Sequence, residues 1–366
     1  MSIPTTPGFV ERRTLVFWVT IGLMVLGVYW QITTETDLWG DNPGAMVVAA
    51  VFWAVYGIAV GWLIHRLQLF ERRAVSSTIA AVVWGIFVAG GIVALVGPDL
   101  QALLDKVVGI ETSREWGPAI RAPFIEESWK LLGVVALALI PRVRVVRVID
   151  GVYFGMLSGL GFLVSENAFF TNQAVNLEGA SVGTAVFETF LSRGVFALPF
   201  SHVIYSGIAG AGIGYVLSRR GRSVIGRVLV AFGLYVVAFL LHGFNNSPIL
   251  GDAEFSLFIK GIPALAIFLV VLWWARREYR ADLAELAAQS GTITDEDLDA
   301  LSTRRHRRTA AKHAADHQLV REAQRAQIDL LVATDVYGPE SPQVADAQRL
   351  MVSPVATDTP IEDEAD

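Results

Sequence analysis

The chain has 366 residues, 53% of them hydrophobic and only 17% charged, with a formal net charge of -6. Soluble proteins average about 25% charged residues, so the composition excludes an ordinary soluble domain and points to a polytopic membrane protein. The absence of cysteine excludes disulfides, thiolate metal sites and a cysteine nucleophile.

A helix needs about 20 mostly apolar residues to cross a bilayer. Eight runs meet this, at 15–30, 46–64, 77–96, 122–140, 151–170, 191–217, 228–244 and 255–274. The first is long for a signal peptide and lacks a small-residue cleavage site after it, so it reads as a retained helix, either spanning or interfacial. The expected fold class is all-α, a bundle of about eight transmembrane helices. In runs five and six, Gly151, Gly155 and Gly159, and then Gly210 and Gly214, repeat at four-residue spacing. Small residues at that spacing let membrane helices approach closely.

Basic residues alternate with the loops. Arg12 and Arg13 precede run one; Arg66, Arg72 and Arg73 lie between runs two and three. Arg142, Arg144 and Arg147 follow run four, Arg219, Arg220, Arg222 and Arg227 follow run six, and Arg276, Arg277 and Arg280 follow run eight. The intervening loops are acidic, with Glu35, Asp37 and Asp41, then Glu178 and Glu188, then Asp252 and Glu254. The loop before Arg121 alone mixes signs. The positive-inside rule then places both termini in the cytoplasm of a bacterial-type plasma membrane. Residues 1–280 form the expected transmembrane domain, with a catalytic core at about 120–250.

Residues 281–366 read as a cytoplasmic tail, helical at first and disordered beyond Gly338. Thr294-Asp-Glu-Asp297 resembles a capping box. His313 and His317 are four apart but have no acidic or cysteine partner at metal-site spacing, so a solvated helix face explains them better. The basic run Arg304–Arg308 suits anionic lipid head groups or plain solvation equally.

Orientation assigns each intramembrane polar residue a depth. Glu126 and Glu127 fall about one turn inside run four, with Lys130 a turn deeper. Glu166 lies four residues from the expected end of run five at Phe170, and His202 in the outer half of run six below Arg193. His242 is near the outer end of run seven, with Asn246 a turn beyond. Ionisable groups at such positions are expensive and mark functional sites. Each has a bland reading alone: Glu127 pairs with Lys130 at helical spacing, Glu166 caps its helix or meets Arg193, and either histidine packs as a bonded core residue. Their common depth favours a shared site.

Two histidines with one or two glutamates suit zinc with an open position, another glutamate serving as base. Without metal, a glutamate activates water directly and His and Asn donate to the oxyanion. Both routes end in hydrolysis. The two glutamates project about 100° apart around the helix, so one faces the chemistry while the other holds Lys130 or a neighbouring helix. Glu127 shares Lys130's face, which favours Glu126 as the base. No Gly-x-Ser-x-Gly or His-Glu-x-x-His motif is present, and Ser158, the nearest serine candidate, lacks a matched histidine.

Glu126-Glu127-Ser-Trp-Lys130, Asp150-Gly151 through Glu166-Asn167, His202 and His242-Gly-Phe-Asn-Asn246 together resemble the four blocks of PrsW-type intramembrane proteases. That family groups with the CAAX endopeptidases and bacteriocin-immunity-type membrane proteases. Leu198 stands where the wider superfamily carries an aromatic residue four before the histidine, although Phe200 is close, and Lys130 replaces an arginine carried one residue later. The resemblance covers roughly 124–246. It implies an intramembrane metalloprotease making an outward-side cut in a single-span membrane protein, an anti-sigma factor in the best-known cases. Glu126 or Glu127 would be the base, while His202 would activate water or bind metal. His242 and Asn246 would bind metal or the oxyanion. Zinc is the implied cofactor, with Glu166, His202 and His242 as its expected ligands and Arg193 and Lys130 as substrate contacts. A metal-free glutamate mechanism is the alternative within the superfamily. Two other classes compete: a proton-coupled transporter, which would show inverted repeats, and a non-catalytic scaffold or immunity protein. The lipid bilayer is an expected partner; a nucleic acid is not.

Overall fold

The computed structural model describes residues 8–66, 73–197, 201–219, 221–251, 254–301, 304–313 and 316–352. Every regular element among them is helical. The chain divides into two compact units, one of residues 6–67 and 73–276 and one dominated by 277–366.

The first unit runs through α1 (Leu15–Trp39), α2 (Pro43–Arg66) and α3 (Val75–Val83). From α3 a π-helical stretch, Trp84–Ala89, leads without a break into α4 (Gly90–Val108). Next come α5 (Ile110–Ala138), α6 (Val148–Leu177) and α7 (Val182–Thr189), whose end widens into a second π-helical stretch, Phe190–Phe196. The unit is completed by α8 (Ser201–Ser218), α9 (Val224–Asn246) and α10 (Glu254–Ser290), the last of which passes into the second unit.

Among the described residues, six helices are long and apolar enough to cross a membrane: α1, α2, the continuous α3–α4, α6, α9 and α10. The α7–α8 pair adds a seventh if it forms one span. This is an integral membrane protein. Seven of the eight apolar runs fall on helices, and the described parts of run six lie on the π-helical stretch and α8, but α5 carries too many charges to count as an apolar span because Glu126, Glu127 and Lys130 interrupt its apolar half. The unit also exposes large apolar side chains on its outer helices, such as Trp18, Val25, Val51, Ile58, Leu229 and Phe232. Lipid tails are as apolar as leucine, so such a surface carries no penalty in a bilayer.

Several boundaries differ from the sequence expectation. Residues 98–120 are helical rather than a loop, because α4 continues to Val108 and α5 already begins at Ile110. Gly109 alone separates them, with φ +85°, a conformation that glycine adopts without strain. Glu35 lies inside α1 rather than in a loop. α6 runs on to Leu177, so Glu166 sits eleven residues before its end, about 16 Å along the helix. The aromatic position at Leu198 and Phe200 lies outside the described residues.

α6 is the almost wholly buried centre of the unit. Its glycines explain why. A Cβ on Gly151, Gly155 or Gly159 would overlap the backbone carbonyls of Gly210, Ser206 and His202 respectively. The α6–α8 seam is therefore backbone against backbone, and it sets where His202 stands. On another face, Gly161 and Gly85 let α6 touch the π-helical stretch equally closely. At the far end of α6, Asp150 pairs with Arg73 and accepts the backbone N–H of Val146 and Arg147 at 2.9 Å each.

In the second unit, α11 (Asp295–Leu301) starts with a reciprocal capping box. Asp297 N donates to Thr294 Oγ1 at 3.2 Å, and Thr294 N donates to Asp297 Oδ2 at 3.0 Å. α12 (Arg304–His313) and α13 (His317–Tyr337) follow, with His317 Nδ1 against the carbonyl of Ala311. The expected disorder beyond Gly338 is corrected in part: Pro342–Val352 forms α14. Ser341 Oγ accepts the N–H of Val344 at 3.3 Å, Pro342 takes the first helical position, and Val344 and Ala347 are buried. Those two buried side chains at helical spacing give this stretch the apolar anchor that its Pro- and Asp-containing composition hid.

Candidate active site

Four helices of the first unit bring their polar residues into contact. α5 supplies Glu126, Glu127 and Lys130, α6 supplies Glu166, α8 supplies His202 and α9 supplies His242. Lys130 and Glu127 are sealed completely, and Glu126, His202 and His242 nearly so.

Glu127 is the anchor of the group. Its Oε1 lies 2.7 Å from Lys130 Nζ and 3.0 Å from His242 Nδ1, and its Oε2 accepts from Ser206 Oγ at 3.0 Å. Glu126 takes a different direction and lines a cavity of about 710 Å³. Its Oε2 is 3.4 Å from Lys130 Nζ, 3.8 Å from His202 Nδ1 and 3.7 Å from His242 Nε2. The divergence required of adjacent helical residues thus gives one carboxylate to the framework and one to the cavity.

Each histidine is oriented through one nitrogen. His242 Nδ1 meets Glu127, and His202 Nε2 meets Glu166 Oε2 at 2.9 Å. A carboxylate only accepts, so each of these nitrogens carries the hydrogen. The other nitrogens, His242 Nε2 and His202 Nδ1, turn toward Glu126. Carboxylate-oriented imidazoles of this kind are the usual support of metal-binding histidines.

Glu166 pairs with Arg193, and Arg193 Nε donates to Asn167 Oδ1 at 2.8 Å. The guanidinium also stacks over Phe170, 3.9 Å from its centroid. The π-helical stretch that carries Arg193 is tied to α2 through Tyr56 Oη and the carbonyl of Gly194. Glu166 and Arg193 both line the cavity. Asn246 lines it too, with its Nδ2 3.4 Å from the carbonyl of Pro118. Lys130 does not reach the cavity wall; it lies behind Glu126, over the Phe162 ring at 4.2 Å. The Ser158 hydroxyl is committed to the carbonyl of Lys130 at 3.0 Å.

Some site residues were not singled out from sequence. Tyr205 stacks on His242 with ring centroids 5.0 Å apart, and its buried hydroxyl has no hydrogen-bond partner among the described residues. Ser206 holds Glu127. Both follow His202 by one helical turn, a spacing that places them on its face. Asn245, beside Asn246, has a buried Oδ1 without a partner among the described residues and also lines the cavity.

The family follows from comparison with known proteins. A model of the PrsW family of intramembrane metalloproteases matches residues 73–275. The chain belongs to the PrsW family. No curated protein and no solved structure shows a significant match to it. The matched segment begins just before α3, ends in α10 and contains Glu126, Glu127, Lys130, Glu166, Arg193, His202, His242 and Asn246, so this PrsW protein is a membrane-embedded protease.

The residues fit the metal that the family description implies. One donor atom from each of Glu126, Glu127, His202 and His242 falls within 4.8 Å of all the others. A tetrahedral zinc ion with bonds of about 2.0–2.1 Å separates its ligands by roughly 3.3 Å. The 3.7 and 3.8 Å spacings of Glu126 Oε2 from His242 Nε2 and His202 Nδ1 need little contraction to match, although Lys130 Nζ stands 3.2 Å from that Nδ1.

Proposed function

We propose that this protein hydrolyses a peptide bond of a single-span membrane protein inside the cavity walled by Glu126. The observation that supports the reading most is the arrangement around Glu126 Oε2. Two imidazoles, each oriented by its own glutamate, present their remaining nitrogens to one carboxylate on a cavity wall.

The proposed roles follow from the contacts. Glu126 activates the attacking water as its base, or would serve as one of the residues that hold the ion. His202 Nδ1, His242 Nε2 and Glu126 would hold zinc, which supplies Lewis acidity to the water and the scissile carbonyl. This set replaces the expected Glu166 with Glu126, because Glu166 is occupied by Arg193 and His202 Nε2. The Tyr205 hydroxyl, stacked beside His242 and without a partner among the described residues, would donate to the carbonyl oxygen as charge develops on it. Arg193, Asn245 and Asn246 offer hydrogen bonds to the unwound substrate backbone, whose polar groups would otherwise be unsatisfied in the bilayer.

Both termini are proposed to be cytoplasmic, with eight crossings, α5 among them, and the site opening toward the outer face. The alternation of arginine-rich and acidic loops supports this orientation. An anti-sigma factor is the proposed substrate class, on the family resemblance alone. The cysteine-free chain makes the topology testable. With an impermeant maleimide on intact cells, Gly179→Cys is expected to label and Gly221→Cys to label only after permeabilisation. Labelling in the reverse pattern overturns the orientation.

Catalysis is tested on the purified full-length protein in detergent with a panel of single-span segments. Cleavage is expected, with loss on exhaustive chelation and recovery on zinc addition. Cleavage that survives complete zinc removal rejects the metal role and leaves Glu126 as the base. No cleavage of any segment by a folded, zinc-loaded protein counts against the protease reading of this site.

A further inference from the structure

We infer that Lys130 and a divalent metal ion compete for one position in this site, so that Lys130 sets how tightly the site holds metal. The inference rests on the metal-capable reading of the Glu126–His202–His242 group, but it concerns a residue outside that group.

A neutral imidazole has one N–H and one lone pair. His202 Nε2 lies 2.9 Å from Glu166 Oε2, an oxygen that only accepts. The hydrogen is therefore on Nε2 and the lone pair on Nδ1. Lys130 Nζ, which only donates, is 3.2 Å from that Nδ1. A single lone pair in the ring plane serves one electrophile at a time. A metal bound at His202 Nδ1 thus requires the ammonium to release it.

The second shared atom is Glu126 Oε2, 3.4 Å from Nζ and the common neighbour of His202 Nδ1 and His242 Nε2. Lys130 touches two of the three donor atoms a metal would use. What keeps it there is on its other side: Glu127 Oε1 at 2.7 Å and the Phe162 ring at 4.2 Å. These two contacts also give the ammonium a place to remain once it has let go of His202. The site thus carries its own cation, held beside the metal position by groups that are not metal donors in the proposed set.

A lysine that only neutralised the glutamate pair would behave differently. Its loss would relieve repulsion of any cation in the site and tighten metal binding whether or not His202 is present. Competition predicts instead that the tightening runs through His202.

The test is zinc affinity of the full-length protein in detergent, titrated against a chromophoric chelator without substrate. Lys130→Met keeps the length and the packing on Phe162 and removes the charge. It is expected to bind zinc at least about tenfold more tightly than wild type and to show a larger zinc-induced rise in Tm. In a double-mutant cycle, the tightening is expected to vanish in the His202→Ala background. Unchanged or weaker zinc binding by Lys130→Met overturns the proposal. So does tightening that persists without His202, since that is general charge relief. Should Lys130→Met fail to fold, Lys130→Arg decides: it keeps the cation and is expected to bind zinc no more tightly than wild type, and tighter binding overturns the idea. Zinc affinity is read without cleavage, so a protein that binds zinc this way but cuts nothing would sink only the protease reading.

Discussion

Glu126→Gln yields a folded protein that no longer cuts, whereas Glu127→Gln loses stability as well as activity. The two side chains are neighbours in sequence and almost equally buried, yet their contacts divide the work. Glutamine at 126 keeps the shape of the cavity wall and leaves Lys130 paired to Glu127 at 2.7 Å. What disappears is the carboxylate facing both imidazoles. The loss in kcat is about 10²–10⁴-fold, the range for removing a positioned acid–base group, with little change in Tm. Glutamine at 127 removes the closer of the two carboxylates that meet a fully sealed ammonium and disturbs the contacts to His242 and Ser206. Breaking a buried pair in this way costs about 3–5 kcal/mol. Thermal unfolding in detergent, with kcat measured on the same samples, separates the two. Equal destabilisation by both substitutions would contradict this division of roles.

Gly155→Leu prevents assembly of the catalytic unit altogether. Even a Cβ at this position would overlap the carbonyl of Ser206, a backbone atom that cannot turn aside. α6 and α8 would have to separate along the seam that places Ser206 against Glu127 and His202 against Glu166. Overpacking a core usually costs about 1–3 kcal/mol, and more where backbone must move. Here a helix pair must part, so the expected outcome is a protein that elutes as aggregate and shows no cleavage. The matching control is Gly233→Leu on α9, where an added Cβ meets nothing within 4 Å. That variant is expected to purify and cut as wild type. A monodisperse, active Gly155→Leu would show that the seam tolerates separation.

Much of this was legible in the residues because membrane burial makes polar groups conspicuous. Glu126, Glu127, Lys130, Glu166, His202 and His242 stand out in apolar runs, and the structure brings all six into one contact network. The glycine repeats likewise announced the α6–α8 approach. The alternative pairings weighed for Glu166 and Glu127 were also real, since Glu166 meets Arg193 and Glu127 meets Lys130. Both ion pairs lie within the contact network that joins the six residues.

What stayed hidden has physical causes. Helix ends in α4, α5 and α6 run past their apolar stretches, because a backbone helix can continue through polar residues wherever its hydrogen bonds remain satisfied. Depths counted from the edges of apolar runs therefore understated how far along α5 and α6 the glutamates sit. Tyr205 and Ser206 carry no charge, so hydrophobicity does not flag them; only the helical spacing from His202 does. Which nitrogen of each histidine is free depends on partners from other helices, and no single-chain pattern encodes it. The same holds for Lys130, whose place beside His202 Nδ1 appears only when α5 and α8 are set side by side.

The most direct measurement is the mass of the products released from a single-span segment by purified wild-type protein and by Glu126→Gln, at matched folding. The account predicts two products from wild type whose masses sum to the substrate plus one water, and intact substrate with Glu126→Gln. Cleavage by Glu126→Gln at the wild-type rate would contradict the assignment of Glu126 to the chemistry.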